Sequence, residues 1–132
     1  MQLLDFANVQ YINLETFKKD GSKVTTPVWV AQQNNSLIVT TGNNAGKVKR
    51  IRNNGKAIIY TTNQSGSKKL SEELEVKGSI LSDEDLKTEA VTILKKKYGM
   101  MAKMMLKGPN ENRAIIVLEE KEYDNGMSRM WL

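Results

Sequence analysis

Leu37-Ile38-Val39-Thr40-Thr41, Gly42-Asn43-Asn44-Ala45-Gly46 and Lys47-Val48-Lys49-Arg50-Ile51-Arg52-Asn53-Asn54 follow one another and read as a strand, a turn and a short basic helix. The first five residues are β-branched or apolar and suit a strand, and the next five are turn formers. Asn43 or Asn44 can cap the helix. This order leaves backbone N–H groups free at a strand end, where an anion can sit. Lys47 falls in the first helical turn with no Asp or Glu beside it, which opposes the helix dipole unless something negative binds. At about 100° per residue Val48 and Ile51 share a core-facing side, Lys47 and Arg50 flank it, and Lys49 points away. Lys47 and Arg50 are therefore the candidate anion ligands. A solvated surface helix would carry the same basic run. The surroundings argue for a ligand: residues 21–71 contain no Asp or Glu, yet hold Lys23, Lys47, Lys49, Arg50, Arg52, Lys56, Lys68 and Lys69.

At 132 residues, the chain is expected to form a single domain over 1–132 and to bury roughly 68% of its unfolded surface. The net charge is +5, which favours anionic partners from a nucleotide cofactor to nucleic acid. There is no cysteine and no histidine. Disulfides, thiolate nucleophiles, His-based triads and nearly all zinc ligand sets are thereby excluded, and no metal site is expected. No side chain stands out as a catalytic residue, so redox chemistry would have to be carried by a cofactor. The N-terminal Met1-Gln2-Leu3-Leu4-Asp5-Phe6 lacks the pattern of a secretory leader, and the longest later apolar run covers only 114–118. No membrane partner is expected, and the cytoplasm is the expected location.

Residues 3–8 can form one or two helical turns, and 9–18 alternate as a half-buried strand, with Ile12, Leu14 and Thr16 inside. Asp20-Gly21 then makes a hairpin turn into a second strand over 23–32. Pro27 interrupts that strand and marks an edge, a bulge or a place where pairing stops. Asn34-Asn35 leads into the third strand, 36–41, and the basic helix follows it. A fourth strand is read at 56–63, a polar loop at 64–69, and a fifth, alternating strand at 73–81. Ser82 and Asp85 form a capping-box signature for a helix running to about Lys107, with Gly99 as a bend. Its methionines at 100, 101, 104 and 105 suit core filling or a subunit contact better than a ligand wall. Residues 113–123 form an apolar sixth strand. Asp124-Asn125-Gly126 can turn the chain into a short seventh strand over 127–132 carrying Trp131.

The hairpin Thr16-Phe17-Lys18-Lys19-Asp20-Gly21 is followed by Thr26-Pro27-Val28-Trp29-Val30, Thr40-Thr41-Gly42, Lys47-Val48-Lys49-Arg50-Ile51-Arg52 and Lys97-Tyr98-Gly99. In this order and spacing the chain resembles the pyridoxamine 5′-phosphate oxidase-like superfamily of FMN-binding split β-barrels, and within it the F420-dependent oxidoreductases. The resemblance implies a mainly β fold: a six- or seven-stranded antiparallel split barrel of Greek-key type, with a short basic helix after strand 3 and a longer helix after strand 5. It implies a homodimer with FMN or coenzyme F420 in the groove between subunits, passing two electrons as hydride to a small-molecule substrate. Cofactor phosphate would be held by Thr40, Thr41, Lys47 and Arg50. The ring would lie against Thr26, Pro27, Val28 and Trp29, with Thr62, Asn63 and the next two residues as a second wall. The oxidase branch often has arginine before the phosphate-binding lysine, where this chain has Gly46, so pyridoxamine phosphate itself is not the expected substrate. Lys68 and Lys69 would suit the acidic tail of F420. Two other readings share these features, a flavin-binding protein without turnover and a basic nucleic-acid-binding barrel. The latter needs interleaved aromatics, and the chain has only eight, so nucleic acid is not the expected partner.

Overall fold

The computed structural model describes residues 1–121, so the turn read at Asp124-Asn125-Gly126 and the strand over 127–132 lie outside the described residues. A short 3-10 helix, Leu3–Phe6, opens the chain. The strands are β1 (Tyr11–Phe17), β2 (Lys23–Trp29), β3 (Ala31–Gln33), β4 (Ser36–Gly42), β5 (Lys56–Thr61), β6 (Leu74–Ile80) and β7 (Arg113–Glu120). The helices are α1 (Gly46–Asn54), α2 (Glu84–Tyr98) and α3 (Met100–Met105). All strand pairs are antiparallel, in the order β2-β1-β5-β6-β7-β4-β3. The sheet curls into a half-barrel whose two edge strands, β2 and β3, are consecutive in the chain.

That arrangement corrects the reading of 23–32 as one strand. Val30 leaves the ladder because its backbone pairs with α2 instead: its N–H donates to the Tyr98 hydroxyl at 2.9 Å, and its carbonyl accepts from Lys97 Nζ at 2.5 Å. Splitting the strand shifts the count, so α1 follows the fourth strand and not the third, and α2 follows the sixth and not the fifth. Pro27 sits on edge strand β2, opposite Asn13, where its missing N–H costs no ladder bond.

β1 is not half-buried. It lies between β2 and β5, and all residues from Ile12 to Thr16 are buried, Asn13 and Glu15 included. Glu15 is matched by Lys23 at 3.4 Å and by the Thr25 hydroxyl at 3.1 Å. Asn13 donates to Gly66 O at 2.9 Å, fastening the loop between β5 and β6 over this face. The inner face packs Phe6, Ile12, Leu14, Val39, Ile51, Ile59 and Ile116 into the barrel core. A second cluster on the outer face of β3, β4 and β7 takes Ala90, Val91 and Leu94 of α2 and Ala102 of α3.

Two helix boundaries differ from the sequence reading. α2 is capped by Asp83 and not Ser82, through the Leu86 N–H at 3.0 Å. It stops at Gly99, whose φ of 67° and ψ of −138° suit glycine almost alone, so α3 is a separate helix in place of a continuation to residue 107. Among the described residues no helix is long and apolar enough to cross a membrane.

Candidate functional site

The turn between β4 and α1 places the first helical turn of α1 beside the open edge of the half-barrel. Asn43 and Asn44 do not cap it. The Asn43 N–H donates to Asn112 O at 3.1 Å and its side chain donates to Glu111 O, which ties the turn to the segment before β7. The N-cap position falls to Ala45, which offers no side-chain acceptor, and the first turn has no acidic residue. The initial N–H groups of α1 therefore keep their positive field.

Val48 and Ile51 are buried, Lys47 and Arg50 are half-buried, and Lys49 is exposed, as the helical spacing requires. Lys47 is pushed below its ordinary pKa, first by burial and then by the charge of Arg50. Among the described residues it has no ion-pair partner. Arg50 turns back along the helix: its Nε donates to the Thr16 hydroxyl at 2.6 Å, and a Cβ at Gly46 would stand 2.6 Å from its Nη1. Gly46 thus leaves room for a guanidinium contributed from one turn further along.

A cavity of about 590 Å³ opens in front of this turn. One side is Thr40, Thr41, Gly42 and Lys47, and the opposite side is Pro27, Val28 and Trp29 with Tyr11. Met101, Met105 and Leu106 close it from α3 and its C-terminal end, followed by Lys107, Gly108 and Pro109 and by Asn112 and Arg113, and Gln64 reaches in from the loop after β5. Trp29 is held flat by Tyr98, with ring centroids 4.4 Å apart and planes 10° from parallel. Tyr98 is fixed in turn by its hydroxyl, which lies 2.6 Å from Gln10 O. Burial pushes that phenol up to about 12.

Six of the ten residues expected at the site share this wall: Pro27, Val28, Trp29, Thr40, Thr41 and Lys47. Four do not. Thr26, one residue before Pro27 on β2, is not part of the cavity wall, and the Arg50 side chain is turned to Thr16. Thr62 is buried and donates to Lys68 O at 2.6 Å, while Asn63 accepts from the Ser67 N–H at 2.9 Å, so both shape the loop that presents Gln64. Met101 and Met105 line the wall, where the sequence favoured core or subunit contact. The expectation also missed Lys107 and Arg113. A basic residue just before an apolar strand carries no periodic signal of its own, and only the pairing of Arg113 with Gly42 brings it to the site.

No protein-family model and no curated protein matches the chain in sequence. Solved structures do match in shape. A protein described as F420 reductase superposes with a TM-score of 0.59 at 18% identity, covering 94% of this chain and 97% of that one. A candidate pyridoxamine 5′-phosphate oxidase from Listeria innocua gives 0.63 at 14% identity, covering 86% and 85%. HutZ, the heme storage protein from Vibrio cholerae, gives 0.68 at 11% identity, covering 88% and 84%. The chain has the fold of the pyridoxamine 5′-phosphate oxidase-like split barrels.

Proposed function

We propose that this protein is an oxidoreductase whose flavin-type cofactor, FMN or coenzyme F420, occupies the cavity between β2, β4, α1 and α3. The observation that carries the reading is the charge pattern of the wall: among the described residues it holds Lys47, Lys107 and Arg113 and no carboxylate. One side is built for phosphate, with the uncapped start of α1, Lys47 and the hydroxyls of Thr40 and Thr41. The other is built for a flat ring, with Pro27 and the stacked Trp29. A volume of about 590 Å³ is within the range of cofactor sites. When bound, the cofactor would supply hydride transfer, which no side chain of a His- and Cys-free protein can. The chain's part would be to bind, orient and surround it.

F420 is the preferred cofactor. The lysine-bearing rim at Lys107 suits an acidic tail, and the match to the F420 reductase runs over nearly the whole of both chains. A haem of the kind HutZ stores would have to be ligated by Met or Tyr here, since histidine and cysteine are absent. Titrating the apo-protein with FMN and with F420, followed by ring fluorescence, tests the reading. Micromolar or tighter binding of one of them is expected. If neither binds while single-stranded oligonucleotides do, with steep salt dependence, the nucleic-acid barrel replaces it.

Two further results are expected. Lys47→Ala should weaken cofactor binding by on the order of 1.5–3 kcal/mol, ten- to a hundredfold, through loss of a charge-assisted contact. Lys49→Ala should change it little, because Lys49 is exposed and outside the cavity wall. Equal losses in the two variants would describe a diffuse basic surface. The protein is also proposed to be a homodimer, because Met100, Met101, Met104 and Met105 are each more than half exposed on α3 and want cover. Light scattering should give about twice the 14.9 kDa chain mass, and a monomer would leave the cavity without a second-subunit wall.

A further inference from the structure

We infer that Arg113 is a second cationic ligand of the cavity, gripping an oxyanion of phosphate type together with Lys47. Arg113 is the first residue of β7 and stands beside Gly42 in the β4–β7 register. Only 8% of it is exposed, and it faces the cavity. Its Nη2 donates to Leu106 O at 2.9 Å and lies 3.3 and 3.4 Å from the carbonyls of Lys107 and Gly108. Those contacts fasten the end of α3 and account for one nitrogen of the guanidinium. They do not account for Nε, which is fully buried and has no partner among the described residues. Nor does any carboxylate pair with this charge among the described residues.

A buried guanidinium with an idle N–H and no counterion is costly unless a ligand completes it. Nε–H is one arm of the fork with which arginine grips two oxygens of one anion. Open space lies at Gly42, the partner of Arg113 in the register, where a built Cβ would meet nothing within 4 Å. The turn that follows Gly42 leads within a few residues to the uncapped start of α1 and to Lys47. Arg113 and the α1 turn are stitched into one rim by the Asn43 N–H bond to Asn112 O. The ligand class is a phosphate ester or diphosphate, held between a helix start and two cations from different elements.

This assignment rests on the reading of the cavity as the site of a phosphorylated ligand, and the test separates the two. The probes are inorganic pyrophosphate, FMN and F420, added to the full-length apo-protein, with Arg113→Gln and Arg113→Lys as variants. The chain has four arginines, so the Arg113 Nε–H resonance can be assigned by its loss in Arg113→Lys. Saturable movement of that resonance with pyrophosphate is expected, together with about tenfold weaker pyrophosphate binding by Arg113→Gln. If Arg113→Gln lowers the melting temperature but leaves pyrophosphate affinity unchanged, Arg113 serves only to tie down α3 and the inference fails. Should Arg113→Gln not fold, the wild-type spectrum still decides, because an Nε–H resonance unmoved at saturating pyrophosphate overturns it. A pyrophosphate response without binding of FMN or F420 would uphold Arg113 and sink the cofactor reading. Binding of either cofactor with Arg113 indifferent to both cofactor and pyrophosphate would do the reverse.

Discussion

Lys97→Met is expected to lower the stability of the folded protein by on the order of 1–2 kcal/mol, chiefly the cost of leaving the part-buried Ala7 carbonyl without this donor, since Val30 O keeps the Tyr98 hydroxyl at 3.0 Å. Lys97 Nζ lies 2.9 Å from Ala7 O, 2.6 Å from Val9 O and 2.5 Å from Val30 O. One ammonium thus joins the N-terminal segment and the β2–β3 junction to the end of α2, next to the Tyr98 ring on which Trp29 stacks. Methionine keeps the length of the apolar stem and loses every donor. The wall that presents Trp29 should loosen as well, so cofactor affinity should fall with stability.

The same lysine gives a pH dependence whose sign can be worked out. Burial of the ammonium pushes its pKa from 10.5 down to about 8. Between those values the unfolded chain keeps a proton that the folded chain has released, so wild-type stability should rise with pH through the window relative to Lys97→Met. Below about pH 8 both states hold the proton and the difference should level off. The exposed stem of Lys97 lets solvent screen part of the effect. Tyr98, pushed up to about 12 in the fold, ionises near 10 once unfolded and so lowers stability towards the top of the window, a contribution that the comparison with Lys97→Met subtracts. Denaturant unfolding of both proteins across this range is the measurement. A flat difference would mean that the three carbonyls hold the proton on against desolvation.

This clamp also explains where the sequence could be read and where it could not. The hairpin turn at Asp20-Gly21, the alternation of β6 and the buried pair Val48 and Ile51 follow from local rules, and each stands where those rules put it. The break at Val30 does not, because Val28, Trp29 and Val30 are all good strand formers, and the interruption comes from Lys97 and Tyr98 far along the chain. The burial of Asn13 and Glu15 is of the same kind. Alternation marked them as solvent-facing, but β1 is central and the loop after β5 folds over it. That Thr40, Thr41 and Lys47 share one stretch of the cavity wall was legible because strand, turn and helix are contiguous. Arg50 was misplaced because its helical position fixes the direction of its Cβ but not of its long side chain, which reaches Thr16. The place of Arg113 in the wall was invisible because it depends on strand pairing across 71 residues, from Gly42 to position 113.

Gly78→Val should both destabilise the protein and displace the proposed anion site. Gly78 on β6 is where α1 touches the barrel: its N–H donates to Gly55 O at 2.8 Å, and Gly55 ends α1 with a φ of 67°. A Cβ at Gly78 would stand 2.7 Å from Ile51 Cδ1 and 3.4 Å from its Cγ2. Alanine asks only that the terminal methyl of Ile51 swing aside. Valine adds two more carbons against a side chain that is 2% exposed and has no room to retreat, so α1 must lift. Overpacking of this kind costs about 1–3 kcal/mol. The gain in strand propensity from a β-branched residue opposes it but is smaller, up to about 1 kcal/mol. Because Lys47 rides on the same helix one turn before Ile51, a lifted α1 should also weaken phosphate or cofactor binding, by roughly tenfold for one lost charge-assisted contact. Ile51→Val removes the Cδ1 atom at fault, so the double variant Gly78→Ala with Ile51→Val should bind as the wild type does. Unchanged binding by Gly78→Val, alongside lower stability, would show that α1 is held in place by contacts other than this one.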